Sequence, residues 1–65
     1  MNIEIQAETE ELESRIMRLQ NKLERLKDNF DHKKISKKEF DEWTLIYRNR
    51  LEEIQEELDI LEEQD

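Results

Sequence analysis

The sequence predicts an all-α fold, an antiparallel coiled-coil-type hairpin of two helices that we expect to pair into a four-helix bundle. Three observations predict it: apolar residues recur at heptad spacing in both halves, Gly and Pro are absent, and a helix-start motif stands near the middle. Without Gly and Pro the chain lacks the residues that tight turns favour. We expect one domain, residues 1–65, with helix 1 at about 3–30, a turn at 31–36 and helix 2 at about 37–62.

The first helix is predicted by a row of apolar residues at alternating steps of four and three. They are Leu12, Ile16, Leu19, Leu23, Leu26 and Phe30. This spacing is the seam of a coiled coil, and disordered acidic chains do not show it. Extended backwards, the row reaches Ile5 but also Thr9 and Asn2, so we expect the first turns to be weakly held.

The second helix is predicted by a similar row, interrupted once. Its members are Phe40, Trp43, Tyr47, Leu51, Ile54, Leu58 and Leu61. Two successive four-residue steps meet at Tyr47, which predicts a stutter that locally unwinds the coiled coil. Trp43 and Tyr47 could stack on nucleic-acid bases, but their spacing favours a place in the core. We interpret the two rows together as the seam through which the protein self-associates.

A helix start is predicted at the segment KKISKKEF, residues 33–40. Ser36 and Glu39 have the S-x-x-E spacing of a capping box, and Ile35 with Phe40 has the spacing of a hydrophobic staple. A single continuous rod is the alternative, since no glycine stands ready to end the first helix. The segment resembles the start of the short hairpins called SHOCT domains, over roughly residues 26–47, although it lacks the glycine of that family. The resemblance implies a packing module without chemistry.

Chain reversal at this segment would bring the two rows into register. In most facing pairs the two residue numbers add to 70, whereas Leu26 with Trp43 gives 69. The pairs are Phe30 with Phe40, Leu23 with Tyr47, Leu19 with Leu51, Ile16 with Ile54, Leu12 with Leu58, and Thr9 with Leu61. This constant register favours the antiparallel hairpin over the rod.

The charge pattern and the off-seam apolar residues predict an antiparallel homodimer. Residues 1–13 carry −5, residues 51–65 carry −8, and the segment between them carries +5, with Lys33, Lys34, Lys37 and Lys38 forming a basic turn. Two hairpins laid side by side in opposite directions would place each basic turn against the acidic ends of the other. Four apolar residues off the seam enlarge the apolar surface available for association: Met17, Leu45, Ile46 and Ile60.

The sequence offers little chemistry, and we expect no enzyme, no cofactor and no metal. His32 stands beside Asp31 and near Asp28, but it is better interpreted as a surface residue of the turn than as a metal ligand. Arg15, Arg18, Lys22 and Arg25 form a basic stripe along helix 1. The net charge of −8 and the pI of 4.6 nevertheless argue against direct nucleic-acid binding.

Two classes of function therefore remain. The first is a structural or adaptor protein that self-associates through the seam and binds another protein through a helical face. The second is a small acidic regulator or inhibitor, of the kind that mobile elements encode, whose carboxylate-rich end occupies a nucleic-acid-binding groove on a target protein. We expect a cytoplasmic protein, because cysteine is absent and the first residues resemble neither a secretion signal nor a membrane span.

Overall fold

The computed structural model describes residues 3–64, which form two helices packed antiparallel as a hairpin. Helix α1 spans Ile3–Asp31 and helix α2 spans Lys37–Gln64. The predicted hairpin is thereby confirmed, and pairing into a four-helix bundle stays a prediction. The helices end one and two residues beyond the predicted limits, and Asn2 lies outside the described residues. The Cα atoms extend over 48 × 15 × 10 Å, so the molecule is a short, narrow rod.

The core is a thin stripe between the two helices. Four residues of the described chain are buried: Leu12, Leu19, Ile54 and Leu58. Partly buried neighbours pack against them: Ile16, Tyr47, Leu51 and Leu61. Removing a Leu or Ile side chain fully from water contributes roughly 1.5–3 kcal/mol. The two helices are therefore held together by a small number of side chains, which all lie on one side of each helix.

The position predicted for Trp43 is wrong, because Trp43 lies outside the core. Its side chain is 45% exposed, whereas the neighbouring Thr44 is half-buried. With Thr44 on the seam, the row of α2 runs in regular steps of four and three from Phe40 to Leu61, and the stutter disappears. In the register of the other pairs Thr44 corresponds to Leu26, because these two residue numbers also add to 70.

Helix α1 ends in a Schellman motif built without glycine. Lys33 adopts a left-handed backbone conformation with φ 58°. Its N–H donates to the carbonyl of Phe30 at 3.0 Å, and the N–H of Lys34 donates to the carbonyl of Asn29 at 2.8 Å. These two bonds satisfy carbonyls that the end of a helix leaves without partners. A lysine therefore performs the role that is usually left to glycine.

Helix α2 begins at the predicted cap. The N–H of Glu39 donates to Ser36 Oγ at 3.1 Å, and Ser36 Oγ lies 3.4 Å from Glu39 Oε1, to which its hydroxyl donates. Across the turn the rings of Phe30 and Phe40 stack with centroids 4.5 Å apart. Ile35, in the turn, is half-buried. The cap and the ring stack together fix where the chain reverses.

Candidate interaction faces

The hairpin has two broad sides, and one of them carries its only tryptophan. On α2 this side presents a stripe at steps of three and four: Trp43, Ile46, Arg50, Glu53, Glu57 and Ile60. We call this stripe the tryptophan face. Two open grooves between the helices run along it, one lined by Arg50, Glu53 and Glu57 and the next by Glu57 and Ile60. Trp43 and Ile46 continue the stripe because they stand two helical turns before Arg50 and Glu53.

Helix α1 flanks the tryptophan face with charged side chains. Arg15, Arg18 and Lys22 line the central groove, and Glu8 and Glu11 line the groove nearer the open end of the hairpin. Arg15 Nη2 lies 2.8 Å from Glu11 Oε1. Arg18, Lys22 and Arg50 form no ion pair with any of residues 3–64. The middle of this side is therefore basic, and its outer end is acidic.

Three apolar side chains interrupt the polar surface of the tryptophan face. Trp43 is 45% exposed, Ile46 51% and Ile60 54%. The Trp43 ring packs against Tyr47 one turn later, with centroids 5.7 Å apart. Because Tyr47 packs against the core, this contact holds the indole at the edge of the seam. Exposed apolar residues that share one side of a helix are typical of an interaction surface.

The other side of the hairpin carries a second, sparser set of apolar residues. Leu45 on α2 is 62% exposed and Met17 on α1 is 64% exposed. Leu45 precedes Ile46 by one residue, a rotation of about 100° around the helix, which directs the two side chains away from each other. We call the side with Leu45 and Met17 the leucine face. The extended hairpin thus exposes apolar residues on two sides, which points to an interaction surface.

The turn holds the basic cluster and the single histidine. Lys33, Lys34, Lys37 and Lys38 are all exposed. The carbonyl of Asp28 can only accept, so His32 Nδ1–H donates to it at 2.8 Å, and Asp28 Oδ1 lies 3.4 Å from the same nitrogen. The backbone hydrogen bond to Asp28 raises the pKa of His32, and the nearby Asp28 and Asp31 charges raise it further. Within residues 3–64 no three His, Asp or Glu side chains cluster as metal ligands would.

The predicted seam residues differ in how far the structure buries them. All of them except Trp43 are buried or half-buried between the two helices of one chain. Their role in self-association stays a prediction, because the hairpin already uses these side chains internally. Hydrophobicity groups Ile46, Ile60, Leu45 and Met17 only as apolar residues off the seam. The fourteen-residue spacing of Ile46 and Ile60, two full heptads, is the signal in the sequence that sets these two on one face.

Comparisons with protein-family models, with curated proteins and with solved structures find no significant match to this chain. The resemblance of KKISKKEF to SHOCT domains is therefore not accompanied by a family assignment. Neither described helix is long and apolar enough to cross a membrane.

Proposed function

We propose that the protein is a non-enzymatic structural or adaptor protein that self-associates and binds another protein through a helical face. The observation that carries the proposal is the exposure of large apolar side chains on two sides of a hairpin whose described core contains four buried residues. Interaction proteins expose such residues in groups, whereas isolated exposed residues need no explanation.

The leucine face supports the adaptor half of the proposal. Leu45 and Met17 are the more exposed of the apolar side chains in the middle of the two helices, and each is more than three-fifths accessible. They lie on the side of the hairpin away from the tryptophan face. One side can therefore serve self-association while the other receives a different protein.

A quantitative pull-down from lysate of the natural host tests the adaptor half. The baits are the wild type, Leu45→Asp and the control Asn49→Asp, which adds the same charge at an exposed position one turn later. We expect a partner that cross-links to the wild type and to Asn49→Asp and is lost with Leu45→Asp. Partners held equally by all three baits would show that this face is not used.

A second candidate, the acidic regulator, is supported by the carboxylates at the open end. Between residues 52 and 63 all seven Asp and Glu side chains are exposed, and none forms an ion pair with a described Lys or Arg. Replacing Glu56, Glu62 and Glu63 by Gln removes three of these charges outside the tryptophan face. Loss of nucleic-acid-binding partners with this bait, but not with Leu45→Asp, would favour the regulator over the adaptor.

A further inference from the structure

We infer that the tryptophan face is the self-association surface and that it binds the same face of a second copy turned end for end. This inference rests on the self-association half of the proposed function and names the surface and its occupant. Exposed area and the symmetry of the stripe favour the surface, and the charges of the two ends of the hairpin favour the direction.

The accessible surface of the single hairpin is large for its mass. The molecule exposes 5571 Å². A compact monomer of 8.1 kDa would expose roughly 4,500 Å² by the usual scaling with mass. The excess is similar to the roughly 800 Å² that each partner contributes to a standard interface. A hairpin with this excess can bury a full interface without losing contacts of its own.

The stripe on α2 is arranged symmetrically about a point midway between Leu51 and Glu52. The three mirrored pairs, each equally far from this point, are Trp43 with Ile60, Ile46 with Glu57, and Arg50 with Glu53. A two-fold axis at that point, perpendicular to α2, packs α2 against α2 of the second copy in the opposite direction. Trp43 then meets Ile60 of the second copy, and Arg50 meets its Glu53. Each contact occurs twice, as two-fold symmetry requires.

The same axis places opposite charges at the same level. At 1.5 Å rise per residue, Arg25 of α1 comes level with Glu57 of the second copy. The basic turn, with Lys37 and Lys38, comes level with the acidic open end of the second copy. In a pair that lay in the same direction, the two open ends, which together are strongly acidic, would lie side by side and repel. The basic middles of the two faces meet in either direction, so the charges of the ends select between the directions and favour the end-for-end arrangement.

A different protein would not require this symmetry. An unrelated helix could use Trp43 and Ile46 as anchors, but nothing in its binding would require Ile60 at the position that mirrors Trp43 or Glu53 at the position that mirrors Arg50. A second copy uses both of these mirrored pairs at once. The occupant we infer is accordingly another molecule of this chain.

Two adjacent substitutions test the assignment of the face. Ile46 and Leu45 are both more than half exposed in the hairpin, so Asp at either position leaves the core intact. We expect sedimentation equilibrium to show a wild-type dimer at tens of micromolar, weakened at least about tenfold by Ile46→Asp and little changed by Leu45→Asp. Circular dichroism verifies that both variants remain helical.

The outcomes separate this inference from the proposed function. Dissociation by Leu45→Asp but not by Ile46→Asp would overturn the inference and keep self-association. A wild type that is monomeric at these concentrations would overturn both the inference and the self-association half of the proposed function, while the pull-down would still test the adaptor half. Trp43 adds a readout without labels, since its emission should shift to longer wavelength on dilution as the dimer separates and exposes the indole.

Cross-linking tests the direction. The chain has no cysteine, and Glu39 and Gln64 occupy mirrored positions on the stripe. When copies carrying Glu39→Cys are mixed with copies carrying Gln64→Cys and oxidised, we expect the mixed disulfide. A disulfide between two Glu39→Cys copies instead would show that the hairpins lie in the same direction and would overturn the inferred arrangement.

Charge exchange gives a further check: Arg50→Glu should weaken the dimer, and adding Glu53→Arg should restore it.

Discussion

Thr44 shows how one side chain can occupy the seam at a cost. Its Oγ1 is buried and has no hydrogen-bond partner among the described residues. A second seam threonine, Thr9, differs because its hydroxyl donates to the carbonyl of Ile5 at 2.8 Å. An unsatisfied buried hydroxyl costs roughly 1–3 kcal/mol, and an apolar group of the same shape avoids that cost.

We therefore expect Thr44→Val to raise the free energy of unfolding by about 1 kcal/mol. Thr9→Val is the matched control, with the same change in shape but the loss of a satisfied hydroxyl, and should be neutral or destabilising. Urea denaturation followed by circular dichroism measures both. Equal effects of the two substitutions would mean that the Thr44 hydroxyl is satisfied in solution.

His32 couples the end of α1 to pH. Hydrogen bonding to Asp28 and the charges of Asp28 and Asp31 raise its pKa in the folded state above the ordinary 6.5. The contribution of protonated His32 to stability is therefore complete below pH 6.5 and is lost as the pH rises through the folded-state pKa.

An NMR titration of the His32 imidazole should show a midpoint above 6.5 in the folded protein and a return to the ordinary value in concentrated urea. Asp28→Asn should lower the folded midpoint part of the way, because it removes the charge and keeps the carbonyl. A folded midpoint at or below the ordinary value would contradict the assigned contacts.

At the scale of the element, each helix end at the turn has its own device. The Schellman motif requires one residue in the left-handed backbone conformation. For residues other than glycine that conformation costs roughly 1–2 kcal/mol. We expect Lys33→Gly to stabilise the hairpin by about 0.5–1 kcal/mol after the greater freedom of glycine in the unfolded chain is subtracted. Lys34→Gly, one residue away and without a positive φ, should be destabilising. Thermal denaturation of both variants decides the sign.

The start of α2 depends on its cap. Ile35→Ser combined with Ser36→Ala should reduce the stability of the hairpin by roughly 1–2 kcal/mol, because the cap and the adjoining apolar side chain are lost together. Ser36→Asp retains an oxygen that can accept from the N–H of Glu39 and serves as the control. If thermal midpoints of both variants equal that of the wild type, the cap does not define the helix start in solution.

At the scale of the whole molecule, stability depends on the thin stripe between the helices. Leu58 is 5% exposed and Leu45 is 62% exposed on the same helix. Leu58→Ala should cost roughly 2–5 kcal/mol, whereas Leu45→Ala should change the free energy of unfolding by less than about 0.5 kcal/mol. Both are compared by urea denaturation at one protein concentration, because dimerisation would make the midpoint depend on concentration. Similar losses in the two variants would show that Leu45 is also buried in solution.

Heptad spacing and the Ser36 cap are sufficient to predict two helices, their limits within two residues and their antiparallel packing. This succeeds because a hairpin of two helices is governed by local spacing and by one turn. The missing glycine after α1 could be read from the sequence as well. That Lys33 would adopt the left-handed conformation in its place could not, because the sequence gives a preference and the closure of the turn imposes the geometry.

The tertiary structure decided which of two adjacent residues enters the seam. Hydrophobicity alone favours Trp43, but the rotation of α2 against α1 brings the smaller Thr44 into the seam and leaves the indole at the edge, packed on Tyr47. The same rotation divides the remaining apolar residues between two sides, with Ile46 on one and Leu45 on the other. The sequence determined that the chain folds back on itself and that several apolar residues remain outside the seam. Only the packing of the helices decided which side each of these apolar residues faces. The reason is that a shift of one residue along a helix rotates the direction of the side chain by about 100°.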